Sequence, residues 1–120
     1  MTNSVKIAPP HPQLYVLDCA GGDVPDWEDK PFLSTPSCIM FRCMPSIDGE
    51  TEVTLGPAEK VDPGTPPAFD TRLETPSKEV VIETTEQDRV LSQVVEGDVT
   101  RVRIWKNDPW LADKVIVGLG

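Results

Sequence analysis

Proline recurs along this chain too often for a long helix to form. The 120 residues include 13 prolines and 8 glycines, and Pro57, Pro63, Pro66 and Pro67 all fall within residues 56–67. Proline has no backbone N–H and breaks the interior of a helix, so such a chain favours short strands joined by turns. We therefore predict an all-β protein. We interpret residues 56–67 as a proline-rich loop that crosses between two sheets.

Short apolar runs with a two-residue period predict the strands, because successive side chains of a strand point to opposite faces of its sheet. In the run 99–106, Val102 and Ile104 would face the core, while Arg101, Arg103 and Trp105 share the other face. Together the runs predict a small antiparallel β-sandwich of six to eight short strands. The remaining predicted strands cover residues 14–17, 37–44, 52–55, 68–73, 79–84 and 114–119.

A chain of 120 residues is long enough for one modest core and too short for two, so residues 1–120 are expected to form a single domain. Residues 1–12 are expected to be a loose N-terminal lead-in that ends in prolines. Within it, Val5 and Ile7 could pair at the edge of a sheet.

Two connections are predicted from local signals. Asp48-Gly49 is a common hairpin turn, so the strands 37–44 and 52–55 are expected to pair across it. Residues 85–97 are compatible with two structures. Apolar residues at positions 90, 91, 94 and 95, with Gly97 as a terminator, favour one short helix over residues 86–96, whereas three valines in this stretch favour a strand.

The net charge of −9 argues against direct binding to nucleic acid and is typical either of a protein with a cationic partner or of a merely soluble one. The three cysteines lack the spacing of a zinc or redox site, and His11 is the only histidine, so no metal or cofactor is predicted. Cys38 and Cys43 are expected to be small buried hydrophobic residues. The N-terminus does not resemble a signal peptide and no apolar run would span a membrane, so we expect a cytoplasmic protein.

The stretch from Gln13 to Lys30 combines a strand, a glycine-containing loop and a tryptophan among acids. Five carboxylates lie here without a basic residue until Lys30. They could bind a protein partner or, in a minority interpretation, calcium, although the usual calcium-loop pattern is missing. Trp27 could contact a partner or fold back onto the sandwich. The five acids are Asp18, Asp23, Asp26, Glu28 and Asp29.

The segments 13–18 (QLYVLD) and 26–29 (DWED) resemble the N-terminal motif of the competence protein J family. Residues 37–41 (SCIMF), and Asp48-Gly49 and Glu52-Val53 after them, are similar in placement. A proline-glycine that the family carries before this strand is replaced here by residues 35–38 (TPSC). The resemblance covers about the first 55 residues. It implies an all-β, sandwich-like domain that inhibits a partner nuclease.

The primary hypothesis is thus a non-enzymatic inhibitor or immunity protein that binds and neutralises a nuclease or toxin with a basic surface. Its predicted contacts are the five acids named above, with Trp27 as a central anchor, and the acidic turn with Asp48 and Glu50 is a second choice. The alternative is a structural or accessory β-domain of a phage or secretion apparatus. No catalytic residues are predicted, because a catalytic triad would have to use His11, next to prolines.

Overall fold

The chain forms two five-stranded sheets, seen in a computed structural model that describes residues 3–120. Sheet I has the strand order β1-β5-β10-β9-β6, and sheet II has the order β3-β4-β2-β7-β8. The elements are β1 (Asn3–Ile7), β2 (Gln13–Asp18), β3 (Phe32–Thr35), β4 (Cys38–Arg42), β5 (Thr51–Pro57), α1 (Ala58–Val61), β6 (Phe69–Glu74), β7 (Glu79–Thr84), β8 (Arg89–Val94), β9 (Val99–Lys106) and β10 (Lys114–Leu119).

The all-β prediction is confirmed, with two corrections. The described residues contain ten strands rather than six to eight, because the segments 3–7, 32–35 and 89–94 also pair. The sandwich is also not wholly antiparallel, since β5 and β10 run parallel in the middle of sheet I. Parallel neighbours cannot be joined by a tight turn, so this pair could not be read from any local turn signal.

The core lies between the sheets and is built from alternating side chains of both. Val102 and Ile104 are fully buried in it, as the period of their strand predicts. At one side of the sandwich, the rings of Phe32 in β3 and Phe69 in β6 stack with centroids 4.8 Å apart. This aromatic pair joins the edge strands of the two sheets and shields the core between them.

Residues 89–94 are a strand, so the helix considered over residues 86–96 is wrong. Strands β7 and β8 pair as a hairpin whose register shifts between Ile82 and Glu83, where Ile82 faces Leu91 and Glu83 faces Arg89. Val90 is therefore the extra residue of a β-bulge, and both Val90 and Leu91 pack against the core. The bulge puts two consecutive side chains on one side, which imitates the spacing of a helix.

The expected loose lead-in is also corrected, because residues 3–7 form β1 at the edge of sheet I. Val5 lies opposite Val53 of β5, and Ile7 lies opposite Thr51. Both Val5 and Ile7 are partly buried against the core. The edge pairing considered for these two side chains is thus present, and burial of their apolar surface accounts for the ordering of this segment.

Residues 56–67 do not cross between sheets, because they join β5 to β6 within sheet I. The segment contains α1 and lies over the outer face of the sheet, where a Cβ added to Gly118 would lie 2.9 Å from Trp105 and 3.1 Å from the Cα of Ala58. The Trp105 indole donates a hydrogen bond to the carbonyl of Thr65 at 2.8 Å. Trp105 is therefore buried beneath this loop instead of lying beside the arginines in solvent.

The predicted hairpin at Asp48-Gly49 is wrong, because β4 belongs to sheet II and β5 to sheet I. The connection contains a short 3-10 turn over Ser46–Asp48, and Gly49 adopts a φ of 130°. This backbone conformation favours glycine, so the residue does mark a turn. The turn passes between sheets because β5 finds its partners in β1 and β10.

Candidate protein-binding surface

The predicted acidic loop runs between the end of β2 and the start of β3, and it is anchored near the β3–β4 turn. The N–H of Asp23 donates to the Ser37 hydroxyl at 2.8 Å, and the Asp23 carbonyl accepts a hydrogen bond from Thr35. Gly22 approaches the same turn so closely that an added Cβ would lie 2.2 Å from the carbonyl oxygen of Ser37. Only glycine fits this contact.

Asp18 is not part of an exposed surface, which corrects its assignment to the partner-binding residues. It is only 1% exposed. Its carboxylate accepts the N–H of Ala20 at 3.0 Å and the N–H of Ser77 at 2.9 Å. Desolvation raises the pKa of Asp18, but the hydrogen bonds outweigh it and hold the pKa below its ordinary value. Asp18 therefore ties the loop to the β6–β7 turn as a structural carboxylate.

Trp27 is exposed at the other end of the loop, where it lies against Arg42. Its side chain is 66% exposed, and the guanidinium carbon of Arg42 lies 5.5 Å from its ring centroid. Arg42 itself is enclosed, since its side chain is 13% exposed and donates weak hydrogen bonds to the carbonyls of Lys30 at 3.4 Å and Glu28 at 3.5 Å. A cation held in this way positions the indole by a cation–π contact.

A second tryptophan reaches the same guanidinium from sheet I. Trp110 lies in the β9–β10 turn, and its ring centroid is 5.8 Å from the guanidinium carbon of Arg42. The Asp108 carboxylate accepts the N–H groups of Trp110 at 2.9 Å and Leu111 at 2.8 Å, and these bonds hold the pKa of Asp108 below its ordinary value. Both Trp110 and Leu111 are exposed, at 41% and 57%.

Lys106 lies beneath these aromatic residues and joins the two sheets. Its ammonium donates to the carbonyls of Pro109 at 2.7 Å, Arg42 at 3.1 Å and Pro31 at 3.5 Å. It also lies 4.1 Å from the centroid of the Phe32 ring. Desolvation lowers the pKa of Lys106 to about 8. The lysine therefore connects the start of β3, the end of β4 and the β9–β10 turn.

The second acidic stretch lies beside the same turn. The N–H of Met44 donates to the carbonyl of Ala112 at 2.8 Å, and the N–H of Glu52 donates to that of Asp113 at 2.8 Å. Between these anchors, residues 46–50 are exposed, with Ile47 92% exposed. The structure therefore places this stretch at the same end of the sandwich as Trp27. We define the end surface as the exposed residues Asp26, Trp27, Glu28, Asp29, Ile47, Asp48, Glu50, Asp108, Trp110 and Leu111.

The structure thus separates the predicted residues into groups. Trp27, Glu28 and Asp29 meet around Arg42, with Asp26 next to them in the chain. Asp48 and Glu50 lie on the neighbouring connection. Asp23 is exposed, but it is held at the β3–β4 turn, whereas Arg42 lies at the opposite end of β3 and β4. Asp23 therefore lies outside the end surface.

Sequence reasoning missed Arg42, Trp110 and Leu111 as surface-forming residues. An arginine within a strand usually indicates a solvent-facing position, whereas the role of Arg42 depends on two loops that are distant in the chain. Trp110 follows Asn107-Asp108-Pro109, and an aspartate before such a turn commonly binds the next backbone N–H groups. This signal could have predicted a rigid turn carrying an exposed tryptophan.

Within residues 3–120 no group of three or more histidine, cysteine or acidic side chains is arranged so that it could hold a metal ion, which leaves the calcium interpretation of the acidic loop without a site. In the same part of the chain, no helix is long and apolar enough to span a membrane.

Fold and surface together define a β-sandwich of two five-stranded sheets with an acidic, tryptophan-bearing surface at one end. No protein-family model and no curated protein sequence matches the chain. Among solved structures, it is similar to the crystal structure of ComJ from Bacillus subtilis, an inhibitor of the DNA degrading activity of NucA. The TM-score is 0.64 at 15% identity, and the match covers 98% of this chain and 93% of ComJ. The resemblance noted in the N-terminal half of the sequence is thus confirmed at the level of the fold, over nearly the whole chain.

Proposed function

We propose that this chain is a non-enzymatic inhibitor or immunity protein that binds a nuclease or nuclease toxin through the end surface and neutralises it. The observation that carries the proposal is that Trp27 and Trp110, which come from two different loops, are both exposed beside Arg42. Carboxylates surround the two rings. Exposed tryptophans held in place by a rigid scaffold are typical centres of protein interfaces. The shared fold with ComJ, an inhibitor of the DNA degrading activity of NucA, supports the same class of function.

The charge of the chain agrees with this kind of partner. A nuclease holds DNA phosphates with a basic surface, so an acidic inhibitor is drawn to it over long distances. The end surface carries six carboxylates, at positions 26, 28, 29, 48, 50 and 108. Placed against the nuclease, these groups would occupy positions that DNA phosphates otherwise take. A cytoplasmic location, where an immunity protein meets its toxin before export, is part of this proposal.

The test is inhibition of DNA degradation by the nuclease encoded in the neighbouring gene, measured as the purified chain is titrated into it. We expect a stoichiometric block. Trp27→Ala should weaken binding by about 2 kcal/mol, or roughly 30-fold, through faster dissociation, because an aromatic anchor contributes more to residence time than to encounter. Its matched control is Val94→Ala, a 71% exposed apolar residue at the opposite end of the sandwich.

Equal inhibition by Trp27→Ala and the wild-type chain would place the contact elsewhere. If the chain neither binds nor inhibits the nuclease but forms oligomers whose mass rises with concentration, the accessory β-domain is the better explanation. Sedimentation of the free chain between micromolar and millimolar concentration measures this directly. A monomer at all concentrations is the result expected for an inhibitor with a charge of −9.

A further inference from the structure

We propose that the indole faces of Trp27 and Trp110 that Arg42 leaves uncovered receive a cationic side chain, an arginine or a lysine, of the partner protein. The inference rests on the proposed function for the existence of a protein partner, and it adds the chemical group that is recognised. It starts from an arrangement in which two indoles, one from the β2–β3 loop and one from the β9–β10 turn, share one guanidinium while Trp27 is 66% and Trp110 41% exposed.

The rings are held before any partner arrives. Trp27 lies in a loop that Arg42 secures by hydrogen bonds to the carbonyls of Glu28 and Lys30. Trp110 is secured by the hydrogen bonds from its own backbone and that of its neighbour to Asp108. Because both indoles are already positioned, a partner that binds them orders few additional side chains.

The charge that a partner would encounter is negative, although a cation lies at the centre of the arrangement. The guanidinium of Arg42 is enclosed, and its hydrogen bonds go to carbonyls of the same chain. The carboxylates lie outside it, with the side chain of Glu28 57% exposed and that of Asp29 82% exposed. Their ion pairs are long, at 3.5 Å from Glu28 to Lys30 and 3.9 Å from Asp29 to Arg42, so both acids retain capacity for a further cation.

An indole face attracts either an apolar group or a cation, and here the surroundings select between them. A guanidinium or ammonium over an indole gains from the negative face of the ring. Nearby carboxylates add to this attraction and lower the cost of removing the cation from water. An apolar side chain would leave these carboxylates without a partner. The surface therefore favours arginine or lysine.

The three tryptophans provide a direct measurement on the full chain. Their indole N–H groups give three separate signals in a nitrogen-15 correlation spectrum, and Trp105 serves as an internal control because its N–H is bonded to Thr65 and its side chain is 6% exposed. The probes are hexa-arginine, hexa-lysine and an uncharged hexa-glutamine peptide. We expect the cationic peptides to shift the signals of Trp27 and Trp110 saturably, and the uncharged peptide to shift none.

Substitution separates stacking from general attraction to an acidic chain. Trp27→Leu keeps an apolar side chain but removes the ring, so it should weaken binding of hexa-arginine about fivefold, whereas Trp27→Phe keeps a ring and should lose less. Glu96→Gln, an exposed acid at the opposite end, should leave the affinity unchanged. The Trp105 signal reports that each variant remains folded.

Unchanged hexa-arginine affinity in Trp27→Leu, shifts that spread over the whole chain, or equal binding of hexa-glutamine would overturn the inference. The nuclease assay keeps this outcome apart from failure of the proposed function. If the chain inhibits the nuclease but does not stack a cation, the proposed function stands and the inference fails. If the chain stacks the cationic peptides but inhibits no nuclease, the cation-binding surface stands and the proposed function fails.

Discussion

The ammonium of Lys106, in sheet I, lies 4.1 Å from the centroid of the Phe32 ring, in sheet II. This contact lies directly beneath the end surface. The lysine side chain extends from the inner face of β9, and its stem covers the end of the core while its ammonium reaches three carbonyls. One side chain thus holds together the three segments that carry Trp27, Arg42 and Trp110.

We predict that Lys106→Met makes stability less dependent on pH between about 8 and 10.5, which are the folded and the ordinary pKa of this lysine. Desolvation lowers the pKa of Lys106 from 10.5 to about 8, so above pH 8 the folded chain has released a proton that the unfolded chain still holds. Stability of the wild-type chain should therefore rise as pH increases through this window. The groups that face the ammonium, Cys43, Asp108 and Arg42, are unchanged in the variant.

The measurement is urea unfolding at pH 7, 8 and 9, with the exposed Lys114→Met as the matched control. Burial raises the pKa of the Cys43 thiol to about 11. This thiol therefore lowers stability as pH rises, but only above its ordinary pKa of 9.0. Equal slopes for Lys106→Met and the wild-type chain would show that the lysine is not desolvated in the folded protein.

We predict that the double variant Glu28→Gln and Asp29→Asn slows association with the partner several-fold at low salt and changes dissociation little. Both carboxylates are largely exposed, and charges at the rim of an interface act chiefly on the encounter rate. The control is Glu59→Gln with Glu96→Gln, which removes the same charge from exposed positions outside the end surface. Association rates should be measured at several ionic strengths, because screening should abolish the difference. Identical rates for the two double variants would locate the steering charges elsewhere.

We predict that Asp18→Ala destabilises the fold by about 2 kcal/mol, because the N–H groups of Ala20 and Ser77 lose a charged acceptor. The pKa of Asp18 is lowered in the folded chain, so its contribution is present above the ordinary pKa and is lost as pH falls through the folded value. Acid unfolding measured by circular dichroism should thus be less steep in the variant. The folded fraction should bind its partner normally, and a specific loss of affinity would restore Asp18 to the binding residues.

Much of the strand pattern could be predicted from the sequence. The segments 79–84, 99–106 and 114–119 match β7, β9 and β10 in both bounds, because alternation and flanking turns are local signals. Segment 86–96 could be either a helix or a strand by its sequence, because a bulge at Val90 produces helix-like spacing in what is a strand. The hairpin at Asp48-Gly49 was misread because a turn signal does not tell whether the next strand returns to the same sheet.

Part of the candidate site could likewise be predicted from the sequence, and part could not. Exposure of Trp27 beside acids could be anticipated from its polar neighbours. Burial of Asp18 could not, since its acceptor role depends on Ser77, which is 59 positions away.

The all-β class, most strand positions and the acidic character follow from residue type and short-range period, so they are readable from the chain alone. Strand neighbours, the burial of Asp18 and the meeting of Trp27 and Trp110 at Arg42 are not. Strand pairing and desolvation depend on contacts between segments far apart in the chain, and these arise only when the two sheets close around their core.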